Sequence, residues 1–279
     1  MAHNLHRLAQ TAWNVPHLIQ QEALSPILEY LSSRLIHTET SFKTTPEGTL
    51  SANKAQKLGV VGEVLIDGPL TYKPVQAACA PEGCSYQGII AQVEYLISEG
   101  VDTIVLTHSS PGGEANHAFS TATDIRAMCD DAGVKLVSYI DTYSASASYL
   151  IACVADEVII HPEASAGSIG CVVGLHDFSK AMEKEGIKTI YISSTPGKTP
   201  FAEDGSFSAS FLEKIQEDVT RLGNKFAQHV SDNTGISFED VLKMDAQMFH
   251  ADVALKMGLV NKVMDHNQFA SYLAEQTGK

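Results

Sequence analysis

The chain has 279 residues, of which 44% are apolar and 19% charged, and its formal net charge is −14. This composition is typical of a globular protein, and the negative charge argues against a general affinity for nucleic acids or anionic membranes. No apolar run approaches the roughly 18 residues of a membrane span. The first residues also lack the basic start and apolar core of a secretory signal, so we expect a cytoplasmic protein without a membrane anchor.

The cysteines predict free thiols and not a disulfide framework or a metal site. Five are present, an odd number, and they are scattered along the chain. Cys79 and Cys84 lie close together, but no second pair nearby completes the ligand set of a zinc site. We therefore expect neither a metal nor another cofactor.

Residues 1–55 are predicted to be an appended helical arm followed by a linker. Apolar residues recur at helical spacing in this segment, namely Leu18, Ile19, Leu24, Ile27, Leu28, Leu31 and Leu35. Pro26 interrupts the pattern near the start of a second helix. Residues 38–53 are rich in Thr, Ser, Glu, Gly and Lys, as linkers are. Such an arm docks either on its own domain or on a neighbouring subunit, and the sequence leaves both alternatives open.

Residues 56–279 are predicted to form one α/β domain. Strands are predicted at 58–66, 101–106, 135–140, 157–160, 187–192 and 259–263. Helices are predicted at 88–99, 114–131, 149–155, 177–185, 207–232, 237–243 and 251–257. Strands that alternate with helices through short connections indicate a mainly parallel sheet covered by helices.

The segment from Tyr143 to Gly170 is the first candidate for chemistry. A buried strand gives way to the small residues around Ser146, and an apolar, helix-compatible run follows. A strand, a tight turn and a helix start can expose one hydroxyl beside free backbone N–H groups. Ser146 is the serine best placed to be that hydroxyl. The alternative is an ordinary Ser/Ala helix packed closely against a neighbour.

A second candidate feature is Gly112-Gly113, which follows Pro111 after a predicted strand. Two glycines allow backbone N–H groups to approach a substrate carbonyl without an intervening side chain. One of these N–H groups and that of Ala147 could form an oxyanion hole. A plain turn is the alternative interpretation.

A serine nucleophile needs a base, and the sequence offers two. His161 follows a strand near Ser146, although lone histidines in such positions are usually structural. Lys198 lies in a loop after a predicted strand, with a proline on either side. A lysine amine accepts a proton only in its neutral form, which desolvation favours. Ser168 could orient that amine, and a solvated loop lysine is the alternative.

Taken together, these stretches resemble the signal peptide peptidase A family of serine peptidases, over residues 58–264. The resemblance rests on Pro111-Gly112-Gly113, on the small residues around Ser146 with Tyr149 after them, on Gly167-Ser168-Ile169-Gly170 and on the Lys198 loop. Within the family, the chain is most similar to the prohead (capsid assembly) proteases of tailed phages, of the protein C type. The resemblance implies the fold of Clp protease and crotonase, a spiral of ββα units, and assembly into homo-oligomeric rings.

By position, the resemblance implies a role for each candidate residue. It makes Ser146 the nucleophile, Lys198 the general base, Ser168 the residue that orients the lysine, and Gly112, Gly113 and Ala147 the oxyanion hole. The expected substrates are scaffold, capsid or portal proteins, cleaved in the bacterial host cytoplasm or within a phage procapsid. The alternatives are a general peptide-degrading peptidase of this family, a catalytically silent assembly scaffold, and a crotonase-like acyl-CoA enzyme.

Overall fold

The computed structural model describes residues 17–20, 55–74 and 84–276. In this part of the chain the strands are β1 (His17–Ile19), β2 (Gln56–Leu58), β3 (Val61–Asp67), β4 (Thr103–Ser110), β5 (Gly112–Glu114), β6 (Lys135–Ala145), β7 (Glu157–Ile160), β8 (Ser165–Gly167), β9 (Met248–His250) and β10 (Lys262–Val263). The helices are α1 (Tyr86–Ser98), α2 (Ala118–Ala132), α3 (Ala147–Ala152), α4 (Ser179–Lys184), α5 (Ala209–Thr234), α6 (Phe238–Lys243), α7 (Ala251–Met257) and α8 (His266–Gln276).

The predicted α/β fold with a mainly parallel sheet is confirmed. The main sheet has the strand order β10-β7-β6-β4-β3-β2, and every neighbouring pair in it is parallel except β2 with β3. Strand β8 pairs in parallel with the end of β6 and antiparallel with β9. Strands β1 and β5 form a separate antiparallel pair.

Strand β6 pairs with two different strands along one side of its length, and this change of partner positions the candidate site. Its first half pairs with β7, and its last residues, from Tyr143 onward, pair with β8. Against β4, the register shifts between His108 and Ser109, which are opposite Ile140 and Tyr143. The two extra residues in β6 form a bulge, which bends a strand and redirects its side chains. The end of β6 therefore departs from the plane of the first half just before Ser146.

The core has two compartments, one on each face of the sheet. Alternate residues of a strand point to opposite faces. On β4, Ile104 and Leu106 belong to the larger cluster, which also includes residues of α1 and α2, whereas Val105 belongs to the smaller one. The smaller cluster is closed by α8, through Phe269 and Tyr272. Burial on both faces explains why the central strands are almost continuously apolar.

Several predicted elements differ from the structure. The strand predicted at 58–66 is a hairpin of β2 and β3, with Gly59 at φ +66° in the turn. The strand predicted at 187–192 is wrong, because these residues form no strand and are exposed, Ile192 to 96%. The apolar pattern of these residues predicts a strand buried within the sheet, but in the single chain their side chains remain exposed.

The predicted arm helix is wrong at Leu18 and Ile19, which lie in β1. The other positions of the arm pattern, and the linker at 38–53, lie outside the described residues. Strand formation here depends on hydrogen bonds to β5, which is about 95 residues away in the sequence. Helical spacing within the segment carries no information about such a distant backbone partner.

Glu157, at the start of β7, links this strand to β6, β10 and α8 near the N-terminal ends of the strands. Its carboxylate is bonded to Lys135 (2.7 Å), Lys262 and the Tyr272 hydroxyl (2.7 Å). Burial alone would raise the pKa of this carboxyl, but the hydrogen bonds from the two lysines and Tyr272 outweigh it and lower the pKa to about 2.

We expect Glu157→Gln to lower the free energy of unfolding at pH 7 by about 1–3 kcal/mol. Because the folded-state pKa lies below the unfolded-state value, the stabilisation is present above pH ~4.5 and is lost as the pH falls towards 2. Urea denaturation of both proteins between pH 7 and pH 3 should show their curves converging at acidic pH. Glu163→Gln, at an exposed glutamate, is the control, and a constant difference at every pH would contradict the prediction.

Candidate active site

Ser146 occupies a strained turn between β6 and α3. Its backbone has φ 54° and ψ −119°, a region that residues with a Cβ rarely adopt, at a cost of roughly 1–3 kcal/mol. The turn is held by the N–H of Ser146, which donates to Gly167 O (2.9 Å), and by the N–H of Leu150, which donates to Ser146 O (2.9 Å). The Ser146 Oγ is buried and has no hydrogen-bond partner among the described residues. An unpaired hydroxyl on a strained, well-held turn is available for chemistry.

The amide of Ala147 lies directly beside Gly112. A Cβ at position 112 would lie 2.9 Å from the Ala147 nitrogen and 2.8 Å from the Ala145 oxygen. Gly112 also has φ +90°, so both the space and the backbone conformation require glycine here. The structure therefore brings the predicted Gly-Gly turn against the residue that follows Ser146, as an oxyanion hole requires. The Gly112 N–H is hydrogen-bonded to Ser110 Oγ, at 3.2 Å.

Gly113 occupies the strand position next to Gly112 and contacts a different segment. It is bridged to Leu70, and a Cβ at position 113 would lie 1.9 Å from the Leu70 oxygen. It also pairs with Leu18 of β1. Of the two glycines, Gly112 is thus the one that faces Ala147, whereas Gly113 makes the close packing of neighbouring backbones possible.

Ser168 follows β8, on the side of the turn opposite the glycines. It has φ 55°, is almost fully buried, and its N–H donates to Gln247 O (2.9 Å). Because Gly167 accepts the Ser146 N–H, Ser168 lies next to a residue that contacts the nucleophile turn. No hydrogen bond between Ser168 and Lys198 occurs in the described conformation.

Lys198 lies at the end of a short 3₁₀ turn, Pro196–Lys198, and is exposed. No hydrogen bond joins its amine to Ser146 Oγ, which has no partner in the described part of the chain. The exposure extends over residues 180–198, a run that includes most of α4, and α4 buries no side chain. The structure of the single chain thus brings together Ser146, Ala147 and the glycines but leaves Lys198 in solvent.

Neither His161 nor His108 is hydrogen-bonded to the Ser146 Oγ in the described part of the chain. His161 accepts a hydrogen bond from the Glu163 N–H (3.3 Å), and its ring lies against that of His266. His108 is fully buried, and burial lowers its pKa to about 3, so it is neutral at ordinary pH. We conclude that a Ser–His pair is absent from this part of the structure in the described conformation.

His108 belongs to a buried polar network that the sequence did not reveal. Its Nδ1 is hydrogen-bonded to Ser148 Oγ (3.0 Å), which in turn contacts Ser144 Oγ (2.9 Å). The two serines are the second neighbours of Ser146 on either side. Their hydroxyls are therefore engaged, in contrast to that of Ser146. The alternation of serines from 144 to 148 was the only signal in the sequence, and it did not indicate a histidine partner from β4.

The model of the Peptidase family S49 matches residues 129–278, which include Ser146, Ser168 and Lys198. The chain belongs to peptidase family S49. This assignment confirms the resemblance to the signal peptide peptidase A type, and a putative signal peptide peptidase SppA from Enterococcus faecium is 21% identical over 251 residues, 89% of this chain and 71% of that protein.

A phage relative matches nearly the whole S49 chain. The capsid assembly protease C of Escherichia phage lambda is 24% identical over 281 residues, which are 94% of this chain and 64% of the relative, so this chain spans less than two thirds of that protein's length. Among solved structures, a ClpP1 mutant from Listeria monocytogenes has 16% identity and a TM-score of 0.47, and the match covers 73% of this chain and 91% of that one.

Two features are absent from the described residues, a membrane-spanning helix and a group of metal ligands. No helix there is both long enough and apolar enough to cross a membrane. Within the same residues, no three His, Cys, Asp or Glu side chains are grouped so that they could hold a metal ion. The four cysteines that the structure describes, Cys84, Cys129, Cys153 and Cys171, are free thiols.

Proposed function

We propose that this S49 peptidase is a serine endopeptidase in which Ser146 is the nucleophile and Lys198 the general base. The observation that carries the proposal is the Ser146 turn, where a buried and unpaired hydroxyl lies next to the Ala147 and Gly112 amides. Ser138 Oγ is also buried and without a partner among the described residues, so the feature that distinguishes Ser146 is the combination of its unpaired hydroxyl with the strained turn and the adjacent Ala147 amide. The family match supports the reaction class, peptide-bond hydrolysis.

In the proposed mechanism, Ser146 Oγ attacks the scissile carbonyl while its proton passes to the neutral amine of Lys198. The Ala147 N–H and one of the N–H groups of Gly112 and Gly113 stabilise the oxyanion of the tetrahedral intermediate, that of Gly112 after leaving Ser110 Oγ, and Ser168 orients the lysine. The C–N bond then breaks, and Lys198 returns the proton to the leaving amine. Water attacks the acyl-enzyme with Lys198 again as base, and the proton finally returns to Ser146.

This mechanism requires Lys198 to leave solvent and reach Ser146. Large apolar side chains are exposed in the same segment, namely Phe178, Met182, Ile187, Ile190, Tyr191 and Ile192. Contiguous exposed apolar residues are typical of a surface that packs against something else. Covering this surface, by repacking of the segment or by a second copy of the chain, would also desolvate Lys198. We therefore propose that the dyad is completed on assembly into a homo-oligomeric ring.

The proposed substrates are scaffold and capsid proteins of a phage head. The lambda relative is named a capsid assembly protease, and its similarity extends over 94% of this chain. Cleavage would take place in the cytoplasm of the bacterial host. The alternative is a general peptide-degrading role within the same family, which the similarity to a putative signal peptide peptidase SppA supports.

The proposal is tested by incubating the protein with candidate phage capsid and scaffold proteins and identifying the fragments by mass spectrometry. We expect a few discrete fragments from those proteins, and a slower, dispersed digestion of casein. A fluorophosphonate probe should label a single peptide that contains Ser146. Absence of both labelling and fragments would overturn the proposal and favour a catalytically silent assembly subunit, for which the missing Ser146–Lys198 hydrogen bond is the supporting observation.

A further inference from the structure

Strand β1, from the N-terminal part of the chain, lies against the Gly-Gly segment of the candidate site. It pairs antiparallel with β5, so that Ile19 is opposite Gly112. The contact continues one residue further, where the Gln20 N–H donates to Pro111 O at 2.8 Å. The segment therefore passes along the glycine whose amide is proposed to bind the oxyanion.

The opposite edge of β1 is hydrogen-bonded as well. The His17 N–H donates to Val172 O (2.7 Å), and the Val172 N–H donates to His17 O (2.9 Å). Val172 follows shortly after Ser168, on the segment that faces the glycines across Ser146. Residues 17–20 thus fill a groove whose two walls are the two segments that flank the nucleophile.

The side chains of β1 are also enclosed. Leu18 has no exposed surface and belongs to the main core cluster, and His17 and Ile19 are 6% and 7% exposed. Backbone pairing along the edges together with buried pockets for side chains is the way in which proteins bind extended peptides. The groove therefore has the form of a peptide-binding site, and one of its pockets holds a large aliphatic side chain.

The occupied groove and the proposed oxyanion site overlap. The Leu18 oxygen lies only 2.2 Å from where a Cβ of Gly112 would be, and the Ala147 nitrogen lies 2.9 Å from the same point. A substrate must bring its scissile carbonyl to the amides of Gly112 and Ala147. With β1 in place, there is no room beside Gly112 for a second peptide.

We propose that residues 17–20 are a tethered inhibitor that occupies the substrate groove in cis, and that substrates bind there as extended peptides with a large aliphatic residue at the Leu18 position. This inference rests on the proposed function of Ser146. A competing segment that belongs to the same chain acts at an effective concentration on the order of millimolar. A substrate present well below that concentration is therefore excluded from most molecules, and displacing β1 should raise activity on the order of tenfold.

The test places a charge in the buried pocket. Leu18→Asp in the full chain should displace β1, since an unpaired carboxylate is not tolerated in the core. We expect fluorophosphonate labelling of Ser146 and hydrolysis of a fluorogenic peptide to become about tenfold faster. Leu58→Asp is the matched control, because Leu58 is 69% exposed, and its rates should equal those of the wild type. Unchanged rates in a folded Leu18→Asp protein would overturn the inference.

A second variant addresses the possibility that Leu18→Asp fails to fold. Gln20→Pro removes the N–H that donates to Pro111 O and leaves the core side chains in place, since proline cannot donate to a strand partner. It should also accelerate labelling, by a smaller factor than Leu18→Asp. Slower or equal labelling in a folded Gln20→Pro protein would contradict the proposal.

A binding measurement separates this inference from the proposed function. A fluorescent peptide with the sequence of residues 14–22 should bind the Leu18→Asp protein in a Ser146→Ala background, as followed by anisotropy, and should bind at least tenfold more weakly when Leu18 is retained. Binding without hydrolysis in any variant would support the groove and refute the peptidase proposal. Hydrolysis by the wild type with no difference in peptide binding would refute the tethered inhibitor alone.

Discussion

Replacing Ser146 by alanine is expected to reduce peptide hydrolysis by roughly 10⁴-fold or more, to the background of uncatalysed cleavage. In the proposed mechanism the Ser146 Oγ forms the acyl-enzyme, and we expect no other hydroxyl in the turn to substitute for it. Ser144 and Ser148 are hydrogen-bonded to each other, and Ser148 also to His108, so their hydroxyls are engaged elsewhere. The measurement is the initial rate of cleavage of a fluorogenic peptide, with fluorophosphonate labelling as a second readout.

Ser148→Ala is the matched control for this prediction, because it removes a hydroxyl two residues away in the same buried segment. It should keep its fluorophosphonate labelling, with a lower thermal stability caused by the lost contact to His108. The backbone at Ser146 should be unaffected in Ser146→Ala, so that its unfolding temperature stays close to that of the wild type. Labelling that is lost in Ser148→Ala but retained in Ser146→Ala would show that Ser148, and not Ser146, is the nucleophile.

Replacing Lys198 by alanine is expected to lower kcat by about 10²–10⁴-fold, the contribution typical of a general base. Lys198→Arg should be equally inactive, because an arginine keeps the positive charge but does not release its proton in proteins. Both variants should retain peptide binding, so that the loss falls on kcat and not on KM. Addition of a small alkylamine should partly restore the activity of Lys198→Ala and leave that of Ser146→Ala unchanged.

The control is Lys188→Ala, at another exposed lysine of the same segment. The amine of Lys188 has no part in the proposed proton transfer, so the variant should keep activity close to that of the wild type, although Lys188 lies in the segment that we propose is covered on assembly. If the two alanine variants lose activity equally, the segment contributes through assembly or folding and not through the amine of Lys198. Full activity of Lys198→Ala would exclude the Ser146–Lys198 dyad and leave His161 as the remaining candidate base.

The fold was largely predictable because its signals are local. The apolar runs of β4, β6 and β7 and the one-sided apolar pattern of α1 were recognised from residues within each element. The short strands β1, β5, β8 and β9 were missed, since each has three residues and forms through a partner distant in the sequence. A pattern within three residues does not identify such a partner.

The candidate site was predictable in part. Glycines at 112 and 113 and the small residues around Ser146 could be interpreted from the sequence because each has a steric reason that acts on the backbone next to it. Their meeting depends on the parallel pairing of β4 with β6, which places the ends of the two strands side by side. The His108–Ser148 contact and the position of β1 in the groove depend on packing over long sequence distances, and no local pattern indicated either.

By itself the sequence determined the α/β class through apolar periodicity, which acts between neighbouring positions, and the family through its motifs; the catalytic residues that it suggests remain predictions. The tertiary structure alone decided that the Ser146 hydroxyl has no partner among the described residues, which glycine faces Ala147, that Lys198 is exposed in the single chain, and that residues 17–20 occupy the groove. These properties result from contacts between segments far apart in the chain, where burial and the geometry of backbone pairing, not local preference, determine the free energy.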